Sequence, residues 1–170
     1  MEMIMKIKTI VRFNSRCLRI VGLACLLGSL LWSPVKAQTT MRKVFSEMPD
    51  SLMPYLTKNN RLDLIDFFES SMKAEVTNNL DGHSQLTALT TDSLSLQLSA
   101  ALRIDMLLLP VKNVIDDSLT HVVCVFSKYG VTPAIHQTVV RYYSPQWQQF
   151  TEKSIPLSAD DRKRINRLLE

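Results

Sequence analysis

The side chains that could carry acid–base, nucleophilic or metal chemistry are few. Outside the first 37 residues they include three histidines, His83, His121 and His136, and one cysteine, Cys124. A structural zinc site needs four Cys or His ligands, commonly arriving as close pairs, and a catalytic one needs at least three protein ligands. No histidine here stands in an H-x-x-x-H or H-E-x-x-H arrangement, and there is no cysteine pair, so the usual zinc ligands are missing. A nucleophilic Cys124 would need an exposed thiolate beside a basic group. It sits instead in the apolar run Val122–Phe126 and is expected to be a buried small hydrophobe. His121 is three residues away, an odd offset that sends the two side chains to opposite faces of a strand.

Other candidates fail on spacing. Ser70-Ser71-Met72-Lys73 spells S-x-x-K, but it falls at the end of an amphipathic helical pattern and has no S-D-N or K-T-G companion. Asp81, Asp116 and Asp117 are loop carboxylates without the alternating oxygen ligands of a calcium loop. Four glycines in the whole chain, two of them before residue 37, leave no phosphate-cradling loop. The sequence therefore assigns no catalytic, cofactor-binding or metal residue, and the expectation is a non-enzymatic protein without a cofactor.

Residues 1–37 have the pattern of a cleaved export signal. Lys6, Lys8, Arg12, Arg16 and Arg19 precede the apolar stretch Ile20–Leu31, and Val35-Lys36-Ala37 places small residues where signal peptidase reads them, so cleavage is expected before Gln38. The apolar stretch is shorter than the roughly 20 residues of a spanning helix. A lipoprotein signal at Gly22-Leu23-Ala24-Cys25 fits less well, because Cys25 lies inside the apolar run and Gly22 occupies a position where a leucine-like residue is usual. The first 37 residues hold six of the 20 basic and one of the 16 acidic residues, leaving 14 and 15, a net charge of −1. The basic character of the full chain thus belongs to the targeting segment, and nucleic-acid binding has no support. With Cys17 and Cys25 removed, Cys124 has no disulfide partner within the chain. Residues 38–170 are expected to form one domain, long enough to bury a core without disulfide or metal.

The elements that must position any site are clearest between Asp92 and Tyr143. Ser93–Ser99 alternates leucines with Ser or Gln, the period of a strand with one face in the core. Leu102–Leu109 continues as a strand apolar on both sides at its end, expected to be central or covered there by something else, and Pro110 stops it. Leu119–Ser127 and Ile135–Tyr143 follow, rich in β-branched and aromatic residues. A loop centred near Val131 would set His121 against Arg141 and His136 against Phe126. Strands this close must be antiparallel neighbours. Gln85–Thr90 is expected to be a short edge strand, and Pro145–Phe150 to return along the sheet with Trp147 and Phe150 covering an open side.

Before the sheet, residues 41–75 read as helical. Asp50 is expected to cap a short turn, and Asn60 with Asp63 a clearer helix whose stripe is Leu62, Ile65, Phe68 and Met72, widened by Leu64 and Phe67. Thr77–Gly82 has turn chemistry. Ser158 should cap a last helix with Asp160 and Asp161 in its first turn and Ile165, Leu168 and Leu169 as its docking edge. The expected class is α+β: N-terminal helices packed on an antiparallel β-meander of four to five strands, with a short C-terminal helix.

Phe45-Ser46-Glu47-Met48-Pro49, Pro54-Tyr55-Leu56-Thr57, Arg61–Phe67, Asn79-Leu80-Asp81-Gly82 and Leu108-Leu109-Pro110-Val111 resemble an uncharacterised family of secreted domains of unknown function from Bacteroides-type bacteria. The resemblance implies a Gram-negative envelope or exterior, and no activity. Two functions are expected from the whole. The first is a periplasmic or secreted binding module for a protein or peptide of the envelope, to be sought on the serine face of Ser93–Ser99. The alternative is a small-ligand carrier with a pocket between the helix around Phe67 and the sheet. Membrane contact is expected only through the signal segment before its cleavage.

Overall fold

The computed structural model describes residues 38–111, 119–132, 135–151, 155 and 157–169. The export-signal segment 1–37, with Cys17 and Cys25, and the loop carboxylates Asp116 and Asp117 lie outside the described residues. From Thr39 onward the chain forms one compact unit.

Its centre is an antiparallel sheet of seven strands in sequence order: β1 (Glu75–Thr77), β2 (His83–Leu89), β3 (Ser93–Ser99), β4 (Leu102–Pro110), β5 (His121–Thr132), β6 (Ile135–Tyr143) and β7 (Gln149–Phe150). The meander is therefore longer than the four to five strands expected. The additions are the three-residue β1 and two-residue β7, each too short to show a period of two. β2 is not an edge strand, because β1 pairs with its outer side through Glu75 opposite Gln85.

Helices are few: α1 (Met41–Ser46), a 3-10 turn (Asp50–Leu52) and α2 (Lys58–Glu69) precede the sheet, and α3 (Ala159–Leu169) follows it. The helical region expected over residues 41–75 thus consists of separate segments divided at Pro49 and Pro54, and it ends before β1. Thr57, rather than Asn60, caps α2. Its Oγ1 accepts from the Asn60 backbone N–H at 3.2 Å, and Asn60 Oδ1 accepts from the Thr57 N–H at 3.1 Å. This is a capping box with Asn in the usual Glu or Gln position.

α2 closes in a Schellman arrangement. Met72 N–H reaches the Phe67 carbonyl and Ser71 N–H the Phe68 carbonyl, with Ser71 in the left-handed region at φ 56°. The S-x-x-K residues are consequently off the helix, and Met72 is exposed rather than part of the stripe.

Two apolar layers flank the sheet. On one face Leu94, Leu96, Leu98, Ile104, Met106, Leu108, Val123 and Val125 join Val44 and Phe45 of α1 and Leu64 and Ile65 of α2. On the other, Leu107, Leu109, Val122, Cys124 and Phe126 pack with Ile155 and with Ile165 of α3. This second layer accounts for the two-sided apolar end of β4. Burying one leucine-sized side chain contributes about 1.5–3 kcal/mol, so the alternating leucines of β3 supply a substantial part of the drive to form the first layer. Leu168 packs on the second layer, whereas Leu169 is exposed.

The β5–β6 register differs from the one expected. Val125 pairs with Arg141 and Phe126 with Val140, while His121 pairs with Pro110 of β4. β5 continues to Thr132, past the expected loop centre near Val131, and Thr132 pairs with Ile135. An irregularity between Tyr129 and Thr132 accompanies this, at Gly130 with φ 153°. A side chain rarely adopts that φ, and glycine does so freely. His136 falls within β6, and its side chain lies outside the described residues.

Candidate functional site

The sequence candidates among the described residues have these places in the frame. Cys124 is fully buried in the layer under α3. His121 is half-buried at the start of β5, its Nδ1 3.0 Å from Thr120 Oγ1. His83 is exposed on β2, with Nδ1 3.9 Å from Glu75 Oε1. Lys73 Nζ sits 2.7 Å from Glu75 Oε2, and that hydrogen bond holds the Glu75 carboxyl below its ordinary pKa, with desolvation opposing it. Asp81 lies in the left-handed region at φ 58° within the turn before β2. Among the described residues, no group of three or more His, Cys, Asp or Glu side chains could hold a metal ion. These residues are therefore dispersed rather than gathered.

The serine face of β3 is occupied by internal bonding. Ser95 Oγ donates to Asp105 at 2.6 Å, Gln97 Nε2 donates to the Ser99 carbonyl at 2.6 Å, and Ser99 Oγ accepts from the Ala101 N–H at 3.3 Å. Asp105 itself is buried. Arg103 approaches it to 3.0 Å and Lys128 to 3.7 Å, so a charge that would be costly alone is paired and hydrogen-bonded.

The opposite sheet face carries a cavity of about 250 Å³. Leu98, Leu102, Ile104 and Val125 form its apolar floor, and the segment from Met48 to Tyr55 forms one wall. Ser127, Tyr129, Arg141 and Tyr143 complete it along β5 and β6. Leu52, Tyr129 and Arg141 are exposed, which makes the cavity a groove open to solvent. Neither Phe67 nor Phe68 lines it; both pack against the first layer.

The wall has little regular structure of its own and is pinned from both sides. Arg61 of α2, only 1% exposed, donates from Nη1 to the Leu56 carbonyl at 2.9 Å and from Nη2 to the Met48 carbonyl. Its Nη1 also lies 2.9 Å from Asp50 Oδ1. One buried guanidinium thereby ties together both ends and the 3-10 turn of the wall. From the other side, Asn79 donates from Nδ2 to the Pro54 carbonyl and from its backbone N–H to the Tyr55 carbonyl, both at 2.9 Å.

Asn78 next to it is buried and saturated. Its Nδ2 donates to Ser84 Oγ and the Leu98 carbonyl, and its Oδ1 accepts from the Leu80 and Gly82 N–H groups. A Cβ at Gly82 would come within 3.4 Å of that amide.

Ser127 and Arg141 differ from these braces. Ser127 is only 5% exposed, and neither its hydroxyl nor the Arg141 guanidinium has a hydrogen bond or ion pair among the described residues. Sequence reasoning missed the groove because its parts come from five separate stretches. Arg61 did carry a signal: a cation in register with Leu64, Ile65 and Phe68 on the buried stripe of α2 must find partners inside.

None of the curated proteins compared with this chain matches it. Among solved structures, a domain of an uncharacterized protein from Porphyromonas gingivalis W83 is similar in fold. Its TM-score is 0.54 at 20% identity, over 69% of this chain and 57% of that one. The chain thus spans little more than half the length of that neighbour. The family described as a protein of unknown function, DUF3256, matches residues 33–165. Over that span, nearly all of the folded unit, the chain belongs to the DUF3256 family.

Proposed function

We propose that this protein is an exported, non-enzymatic binding module that takes an apolar side chain of a protein or peptide of the cell envelope into the groove between the Met48–Tyr55 wall and strands β3–β6. The observation that carries this reading is the groove itself, open, floored by Leu98, Leu102, Ile104 and Val125, and held in shape by Arg61 and Asn79. Pockets that bury a whole small molecule run from about 300 to 1,000 Å³. At about 250 Å³ this one suits one or two side chains of a docked segment better than an enclosed carrier ligand. Prior fixing of the wall means that little ordering entropy is lost on binding.

Export is supported by the basic and apolar pattern of residues 1–37. Protein recovered from the periplasmic fraction or medium should begin at Gln38 on N-terminal sequencing; a cytoplasmic chain beginning at Met1 would overturn that part. One buried apolar side chain contributes about 1.5–3 kcal/mol, so short peptides should bind in the millimolar range or more weakly. NMR titration with acetyl-Ala-Phe-amide tests the groove. The Leu52→Glu variant, changed at an exposed rim position, should lose the binding seen with the wild type, and equal binding by both would count against the groove.

A further inference from the structure

Resting on that reading of the groove, we infer that the docked segment carries a carboxylate next to its apolar side chain, and that Arg141 and Ser127 receive it. Arg141 lies on β6 opposite Val125, and Ser127 is two residues along β5, opposite Val139. Residues in this diagonal relation have side chains on one face and about 7–8 Å apart, within reach of a long side chain. Ser127 is only 5% exposed, and its hydroxyl has no hydrogen-bond partner among the described residues; its Oγ is not enclosed, so what it reaches is the groove. Because it opens into the groove, a bound group can accept a hydrogen bond from it in place of water.

Arg141 adds to the same lining a cation with no ion pair among the described residues. Guanidinium and hydroxyl are both donors, and together they call for an anionic acceptor. A carboxylate matches the planar fork of the guanidinium through two parallel hydrogen bonds. The other cations near a carboxylate on this sheet, Arg103 and Lys128, lie on the opposite face and are engaged with Asp105. An apolar floor beside a donor pair thus reads a side chain and a charge together. The carboxylate is either the C-terminus of the docked segment or an adjacent Asp or Glu.

Three peptides separate these sources in NMR titrations of the full chain: acetyl-Ala-Phe with a free carboxylate, acetyl-Ala-Phe-amide, and acetyl-Phe-Asp-amide. At least one carboxylate-bearing peptide should bind about tenfold more tightly than the neutral amide, the size expected of a hydrogen bond to a charged group. Which one does so identifies C-terminal or internal carboxylate recognition. Arg141→Gln should collapse the acid–amide difference, Ser127→Ala should reduce it, and Arg162→Gln on the exposed side of α3 should leave it unchanged.

If the amide shifts the methyl signals of Met48 and Met53 and neither carboxylate binds better, the groove reading stands and this inference is overturned. Should no peptide move those signals, both fall.

Discussion

At the scale of single residues, the chain places a cation where its helix pattern calls for a hydrophobe. Arg61 satisfies two carbonyls and one carboxylate, and its removal would leave a cavity as well as unpaired carbonyl groups. Arg61→Ala is expected to cost about 2–4 kcal/mol, read as a lower urea midpoint with an unchanged slope; a loss below about 0.5 kcal/mol would mark it as an ordinary surface position. Cys124 was legible from the Val122–Phe126 run alone, because apolar neighbours on both sides imply burial. Ser127 was not, since a serine in a strand reads as solvent-facing until the strand is known to lie under a wall formed some 75 residues earlier.

Elements were legible where their period is long enough to count. β3, β4 and β6 follow from alternation and β-branched content, and Ser158 does cap α3, accepting from the Asp161 N–H at 3.1 Å. Register was not legible, because one extra pair of residues in β5 shifts every contact with β6 while leaving the pattern intact. The end of α2 was also missed: serine is an uncommon residue for the left-handed position that glycine usually fills. Ser71→Gly should therefore stabilise the domain by up to about 1 kcal/mol, and a lower thermal midpoint would contradict that assignment.

α3 is tied to the β2–β3 turn by Arg164 Nη2, 2.7 Å from Asp92 Oδ2. The hydrogen bond from Arg164 is the main cause holding the Asp92 carboxyl below 3.8, with desolvation opposing it and Thr90 Oγ1 adding to it. A depressed carboxyl binds its proton less readily in the folded chain than in the unfolded one. Its contribution is thus present above the ordinary value and lost as pH falls through the folded pKa. Both partners are partly exposed and screened, so the pair is worth less than about 1 kcal/mol. Arg164→Gln should lower stability by that amount near neutral pH and converge on the wild type as pH falls through the folded-state pKa of Asp92. A difference that persists in acid would point to packing rather than charge.

For the molecule as a whole, an extended meander divides the apolar residues between two layers, one closed by α1 and α2 and the other by α3. The apolar far end of β4 called for a central position or a cover, and the layer under α3 is that cover. No comparable signal announced the groove, whose floor is the polar-rimmed end of the first layer and whose wall is an irregular segment without periodicity. Its recognition of an apolar side chain is the central claim, and methionine methyl NMR tests it most directly. Met48 and Met53 line the groove, Met106 is buried in the layer beyond it, and Met72 is exposed on the chain after α2. On titration with acetyl-Ala-Phe-amide, the Met48 and Met53 methyl signals should move together with one affinity while those of Met72 and Met106 stay in place. Unmoved Met48 and Met53 signals, or shifts at Met72 alone, would contradict the account.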